Sequence, residues 1–278
     1  MEFITSPNNP RFKAALRLKT SRGRKSQERM IIFGIPEIRR AISAGVRTYE
    51  IYVWRSSGDN DEAVNELIGW VQNQTQAERI RFSELNTELY QRLSFGDRHD
   101  GAVAIAQRPN CGLDKLPLSF NQKLDRRQLA LVILQGAEKP GNIGAVMRSA
   151  DGAGFDAVWL ADPICDPYHH TCIRASLGSV FRFPVVCAST QEILAWLRKH
   201  KVSTYTTCVN ARRDYDQIDG RGSVAIVLGN ENSGLDEQWN VDDVTPIRIP
   251  MQGLADSLNL SASAAIVCYE VARQRRIG

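Results

Sequence analysis

The sequence lacks any apolar run that approaches the roughly 18 residues a helix needs to cross a bilayer. Its first residues also lack the basic-then-apolar order of a signal peptide. Cysteine is sparse, because the six thiols are spread widely over 278 residues. Such spacing argues against a disulfide framework. These absences predict a cytoplasmic protein that has no disulfide bonds and does not contact a membrane.

Residues that commonly bind metals are concentrated in one short segment, which contains Cys165, His169, His170 and Cys172. Zinc sites normally require a second pair of Cys or His residues at a defined spacing. No such pair is present, so we expect no metal ion. The simpler interpretation is a polar loop with two small thiols, and the sequence does not assign this segment a function.

The composition is that of a folded globular protein, with 43% apolar and 24% charged residues. At 278 residues the chain is long enough for two domains. The net charge is only +4, but residues 1–29 contain eight basic residues and two glutamates. A basic N-terminal arm of this kind is typical of proteins that bind polyanions. A solvated helix face or tail would have the same composition.

The periodicity of apolar residues divides the rest of the chain in three. Residues 30–108 read as a small α/β domain with helices at 37–44 and 61–72 and strands at 50–54 and 102–106. Residues 109–127 have no sustained periodicity and read as a linker. Residues 128–278 contain short apolar runs at 129–134, 157–160, 202–206 and 224–228, separated by helical patterns at 143–153 and 192–200. Runs without alternation indicate strands covered on both faces, hence a mainly parallel sheet.

Two common nucleotide-binding motifs are absent from this second half. The glycines at 136 and 141 are followed by Asn142 and Ile143, so the lysine and hydroxyl of a P-loop are missing. The dinucleotide fingerprint needs three glycines in one strand-to-helix turn, and that pattern is not met. The sequence therefore favours neither a P-loop enzyme nor a Rossmann dehydrogenase.

Three polar segments, at residues 140–148, 228–234 and 249–261, each follow an apolar run. Loops at the carboxyl ends of buried strands are where α/β sheets build ligand sites. Helical geometry directs Arg148 away from the apolar face of its helix. Each segment also has a purely structural explanation. Arg148 would be a solvated side chain, Gly229 and Gly234 would form a turn, and Ser257 or Asn259 would be a helix N-cap.

Together, the order, spacing and chemistry of these segments resemble the signature motifs of the SpoU-type (SPOUT, TrmH-like) RNA 2′-O-ribose methyltransferases. The resemblance implies an α/β fold whose C-terminal parallel-sheet SPOUT domain, residues 128–278, contains a deep trefoil knot. The small residues at 261–265 would let a threaded chain pass close by. The resemblance further implies that residues 30–108 are an L30e-like, RNA-binding α/β domain. Their closing segment, from His99, is similar to the family, whereas Phe33-Gly34 replaces a glutamate-glycine pair often seen there.

The resemblance also implies a function, which is transfer of a methyl group from S-adenosyl-L-methionine to the ribose of RNA by a homodimer without metal. It implies these catalytic residues: Arg148, Asn142, Glu231, Ser257 and Asn259. It implies these cofactor-binding residues: Leu228, Gly229, Ile249, Met251, Ser257 and Leu258. We expect Arg148 to hold a phosphate, because a guanidinium group does not give up its proton. We expect Glu231 to hold Arg148 or Asn142 by a hydrogen bond.

Ribosomal RNA is the expected substrate, because an extra N-terminal domain is commoner in the family's ribosomal members. Transfer RNA is the alternative, and self-resistance to a ribosome-targeting antibiotic is a narrower variant of the ribosomal role. Two further hypotheses are a non-catalytic RNA-binding protein that keeps the fold and a methyltransferase that acts on the base. The sequence does not identify the modified nucleotide.

Overall fold

The computed structural model describes residues 1–55, 59–74, 79–95, 101–126 and 128–277. Its strands are β1 (Glu2–Ile4), β2 (Arg29–Phe33), β3 (Thr48–Val53), β4 (Arg81–Leu85), β5 (Ala102–Gln107), β6 (Ala130–Gln135), β7 (Ala157–Ala161), β8 (Val185–Ala188), β9 (Ser203–Thr207), β10 (Arg213–Asp214), β11 (Val224–Leu228) and β12 (Val244–Arg248). Its helices are α1 (Pro10–Arg17), α2 (Ser21–Gln27), α3 (Ile35–Ser43), α4 (Asp59–Gln72), α5 (Thr87–Leu93), α6 (Leu118–Asp125), α7 (Pro140–Gly152), α8 (His170–Ala175), α9 (Thr190–Lys199) and α10 (Leu260–Ile277).

The chain divides into two compact units. The first comprises Met1–Pro109 and Tyr168–Arg182, and the second comprises Asn110–Pro167 and Phe183–Gly278. This division differs from the predicted bounds in three respects. Nearly all of the predicted linker 109–127 belongs to the second unit, because Phe120 of α6 is buried in its core. A segment inside the predicted range 128–278 belongs to the first unit. The basic residues 1–29 also belong to that unit, because Phe12, Ala15 and Leu18 are buried in its core.

The first unit is built on a five-stranded sheet in the order β1-β4-β3-β5-β2. β4 is parallel to both β1 and β3, whereas β5 is antiparallel to both β3 and β2. The predicted helices and strands appear as α3, α4, β3 and β5, with ends shifted by a few residues. Of the predicted closing segment, His99 and Asp100 lie outside the described residues.

The second unit contains a seven-stranded sheet in which every pair is parallel, in the order β10-β12-β9-β11-β6-β7-β8. The predicted parallel sheet is therefore confirmed. Two of its central strands, Ala130–Gln135 and Val224–Leu228, are buried throughout, and all their residues except Gln135 are apolar. α9 begins with a capping box formed by Ser189 and Glu192. Among the described residues, no helix is both long and apolar enough to cross a membrane.

The C-terminal helix α10 packs against α7, and a single side chain anchors its last turn. The guanidinium of Arg275 donates hydrogen bonds to the carbonyl oxygens of Gln128, Leu129, Gly220 and Gly222, at 2.7–3.1 Å. Those carbonyls lie just before β6 and β11. Arg275 therefore joins the amino-terminal ends of two central strands to the end of the chain.

We expect Arg275→Ala to lower the free energy of unfolding of the second unit by about 2–4 kcal/mol, because several partly buried carbonyls lose their charged donor. Urea titration followed by tryptophan fluorescence measures this change, since three of the five tryptophans, Trp159, Trp196 and Trp239, lie in the second unit. The exposed neighbour Arg276 provides the control, and Arg276→Ala should change the value by less than about 0.5 kcal/mol. Equal losses in the two variants would contradict the anchoring role.

Candidate functional site

A cavity of about 310 Å³ opens at the carboxyl ends of β9, β11 and β12. These strands are neighbours in a parallel sheet, so the loops that follow them meet at one edge. The lining residues lie within 207–209 at the end of β9, within 228–235 at the end of β11 and within 248–258 at the end of β12, with Leu260 and Ser263 from α10. The cavity volume lies at the lower end of the range found for small-molecule sites.

The structure brings together all six residues that the sequence proposes for cofactor binding. The lining includes Leu228, Gly229, Ile249, Met251, Ser257 and Leu258. Of the proposed catalytic residues, Glu231 and Ser257 also line the cavity. Two of the three predicted segments, 228–234 and 249–261, therefore share one pocket.

The wall that follows β11 is a tight turn that allows no side chain at its start. The backbones of Asn230 and Gly234 exchange two hydrogen bonds, each 2.9 Å long. A Cβ atom on Gly229 would lie 2.3 Å from the carbonyl carbon of Gly234, which is far inside van der Waals contact. Gly234 itself adopts a φ of +71°, which favours glycine. Both glycines of this motif are therefore required by backbone geometry.

Asn230 links this turn to the segment that precedes α7, a role that was not predicted from the sequence. Its Nδ2 donates to the carbonyl of Gly136 at 2.8 Å and to Oε1 of Glu138 at 3.2 Å. Its Oδ1 accepts from the backbone amides of Asn232 and Ser233. An asparagine placed between turn glycines is the sequence signal that could have indicated this role.

Glu231 pairs with Lys139, and among the described residues of this chain it forms no hydrogen bond with Arg148 or Asn142. Nζ of Lys139 lies 2.6 Å from Oε2 of Glu231. The hydrogen bond to Glu231 raises the pKa of Lys139. Lys139 immediately precedes the first turn of α7, whereas Arg148 is two turns farther along the helix. Lys139, rather than Arg148, is therefore the residue of this segment that forms the ion pair with Glu231.

Arg148 and Asn142 are not among the residues that line the cavity. Ile143, Val146, Met147 and Ala150 are buried on one face of α7, as the periodicity predicts. Arg148 is exposed, and no described residue forms a hydrogen bond or ion pair with it. The guanidinium of Arg148 is therefore available to a group from outside the chain.

Ser257 and Asn259 precede α10 and have different environments. Oδ1 of Asn259 accepts hydrogen bonds from the backbone amide of Ser261 at 2.9 Å and from its hydroxyl at 2.7 Å. Asn259 therefore caps α10, which is the simpler interpretation given above for this residue. Ser257 is exposed and lines the cavity.

The segment that contains His169, His170 and Cys172 is packed rather than open. His170 stacks on Phe95 with ring centroids 3.5 Å apart, and Phe33 packs edge-on against it. Burial, with the positive charge of neighbouring groups, lowers the pKa of His170 to about 3, so it is neutral at pH 7. Within the described ranges, no group of three or more His, Cys, Asp or Glu residues could hold a metal ion.

Comparison with known proteins gives consistent results. The sequence pattern of the SpoU rRNA Methylase family matches residues 130–269. The chain is 31% identical over 206 residues to a 23S rRNA (guanosine-2′-O-)-methyltransferase of Bordetella pertussis, covering 72% of this chain and 82% of that protein. It is similar to a crystal structure of an RNA 2′-O ribose methyltransferase, with a TM-score of 0.80, 36% identity and 99% of both chains covered. It is also similar to the SpoU methyltransferase AviRb of Streptomyces viridochromogenes in complex with AdoMet, with a TM-score of 0.82, 25% identity, and 97% of this chain and 100% of that chain covered.

We expect Asn230→Ala to loosen the turn without unfolding the unit. The amides of residues 232 and 233 should exchange with solvent about ten-fold faster, because each loses its side-chain acceptor. Hydrogen exchange followed by mass spectrometry measures this rate. Asn232→Ala in the same turn leaves Oδ1 of Asn230 in place and should exchange like the unmodified protein. Unchanged exchange in Asn230→Ala would show that Asn230 does not hold the turn.

Proposed function

Because the chain belongs to the SpoU rRNA methylase family, we propose that it is an S-adenosylmethionine-dependent RNA 2′-O-ribose methyltransferase that acts on ribosomal RNA. The observation that carries this proposal is the convergence of the loops after β11 and β12 on one pocket lined by Leu228, Gly229, Ile249, Met251, Ser257 and Leu258. The names of the relatives favour ribosomal RNA over transfer RNA. A cytoplasmic location follows from that substrate.

The pocket fits S-adenosylmethionine, which supplies an electrophilic methyl group when bound. Leu228, Ile249, Met251 and Leu258 offer apolar surface for the adenine ring. The absent side chain at Gly229 leaves the backbone at the end of β11 open to close approach. The solved relative AviRb holds AdoMet in the same overall fold, which supports this assignment.

The remaining catalytic assignments concern the RNA. We assign to Ser257 the orientation of the ribose hydroxyl, since Ser257 is exposed in the cavity. Asn259 would donate a hydrogen bond from its Nδ2 to the ribose or the cofactor, because its Oδ1 already accepts hydrogen bonds from Ser261. We assign to Arg148 a phosphate contact rather than proton removal, because guanidinium groups in general are poor bases and good phosphate ligands. Alignment of the reacting groups then supplies much of the acceleration.

The proposal includes a homodimer in which Arg148 and Asn142 act beside the pocket of the partner copy. Lys139, at the start of α7, contacts the cavity loop through Glu231. Arg148 follows Pro140 by eight residues, which is about 12 Å along the helix axis. That separation, and the absence of Arg148 from the cavity lining, support a contribution from a second copy.

We also propose the finer features of the fold that the resemblance implies. These are a deep trefoil knot around the pocket, formed by the segments that line it, and an L30e-like RNA-binding role for residues 30–108. Residues 1–29 would add positive charge to the RNA-binding part.

The test uses the full chain, labelled S-adenosylmethionine and bacterial 23S rRNA transcribed without modifications. We expect cofactor binding in calorimetry and transfer of the label to an alkali-resistant, ribose-methylated dinucleotide. Label on the base would indicate a base methyltransferase. Absence of cofactor binding would indicate a non-catalytic RNA-binding protein. Transfer of the label only to tRNA would show that tRNA, and not ribosomal RNA, is the substrate.

We expect Arg148→Ala to keep cofactor affinity but to lower the methylation rate about 100-fold or more, as loss of a charged transition-state contact does.

The proposed homodimer gives a second prediction, which concerns mixtures of two variants. Mixing Arg148→Ala with the cofactor-site variant Gly229→Val should restore activity, because one mixed pocket regains an intact arginine from its partner. If the mixture stays as inactive as its components while mixed dimers form, Arg148 does not act across copies.

A further inference from the structure

One end of the first unit's sheet presents four arginines and a tyrosine, which we call the arginine–tyrosine surface: Arg29, Arg47, Tyr49, Arg79 and Arg81. Strands β2, β3 and β4 begin at this end, because β3 and β4 are parallel to each other and β5 is antiparallel to β2 and β3. Arg29 pairs with Gln107, and the amide of Gln107 donates to the carbonyl of Arg47. The topology therefore gathers residues from three separate stretches of sequence.

An irregularity in the central strand positions Tyr49. The pairing of β3 with β5 shifts register between Thr48 and Glu50, both of which are buried, and Tyr49 is the residue between them. Bulges of this kind redirect a side chain out of the regular alternation. The guanidinium carbon of Arg29 lies 4.3 Å from the centroid of the Tyr49 ring, and that of Arg47 lies 5.1 Å from it.

The positive charge of this surface is not neutralised within the described part of the chain. No carboxylate there lies within ion-pair distance of Arg29, Arg47, Arg79 or Arg81. The nearby acids Glu2 and Glu50 are both paired with Arg11. Glu28, just before β2, is exposed. Two guanidinium groups on one ring repel each other, and an anion between them removes that repulsion.

We propose that the arginine–tyrosine surface binds a single-stranded segment of the RNA substrate. Arg29 and Arg47, held on the ring of Tyr49, contact phosphates in a bidentate manner and stack on unpaired bases. Arg29 and Arg81 lie on the first and last of four adjacent strands. The row of residues between them is therefore about 14 Å long, which is enough for a few nucleotides. The aromatic ring among the arginines favours RNA over an acidic protein surface, since bases provide the planar faces that both groups stack on.

This inference rests on the proposed function, because it takes RNA to be the substrate. The experiment measures binding of the full chain to unmodified 23S rRNA at several salt concentrations, and binding of S-adenosylmethionine by calorimetry. We expect Arg47→Ala and Tyr49→Ala each to weaken RNA binding about ten-fold. Arg47→Ala should also reduce the slope of log affinity against log salt by about 1. Cofactor affinity and thermal stability should not change.

Two control variants separate this surface from general charge effects. Arg55 follows the other end of β3, so Arg55→Ala removes the same charge away from the surface and should bind RNA like the unmodified protein. Tyr49→Phe keeps the ring and should retain most of the affinity. If the unmodified protein binds rRNA and Arg47→Ala binds as well as Arg55→Ala, the surface is not an RNA site and the proposed function stands.

Two other outcomes would also overturn the inference. Normal binding of Arg47→Ala to free rRNA, with weakened binding to ribosomal particles, would assign the surface to a protein partner. Failure of the unmodified protein to bind rRNA at all would reject the RNA surface together with the proposed ribosomal substrate.

Discussion

The close approach of two backbones at the end of β11 is the constraint on which the candidate site depends. β11 is paired on both sides, with β9 and β6, so the position of its last residue is fixed by the sheet. Immediately after it, Gly229 lies against the backbone of Gly234, where no side chain fits. The pocket wall is therefore made of backbone held by a rigid strand. Such a wall keeps its shape without a ligand, which reduces the ordering cost of binding.

The sequence could predict the elements of this site because they depend on local patterns. Apolar runs without alternation mark β6 and β11 as buried strands, and parallel strands place their following loops at one edge. Helical periodicity alone directs Arg148 out of the core of α7. These inferences need only the spacing of neighbouring residues, so tertiary structure did not overturn them.

The contacts that the sequence could not predict join residues that are far apart in the chain. Asn230 binds Gly136 and Glu138, and Glu231 binds Lys139, each across more than ninety residues.

The strand β12 was not predicted because its sequence pattern is short, partly exposed and interrupted by Pro246. Tyr168–Arg182 joins the first unit although its neighbours on both sides belong to the second. No local periodicity encodes such pairings, because they follow from which surfaces meet after folding.

The two ends of the second sheet have separate roles, and this separation explains how the carboxyl end can remain open. At the amino end, Arg275 supplies donors to the carbonyls that precede β6 and β11. At the carboxyl end, the pair of Lys139 and Glu231 is exposed on the lysine side, so water screens it and it adds little to stability. Its effect is instead electrostatic, since Lys139 offsets the charge of a carboxylate that would otherwise repel an approaching RNA phosphate. The Arg275 anchor thus lies at the end of the sheet opposite the pocket, so it stabilises the sheet without occupying the space that a ligand needs.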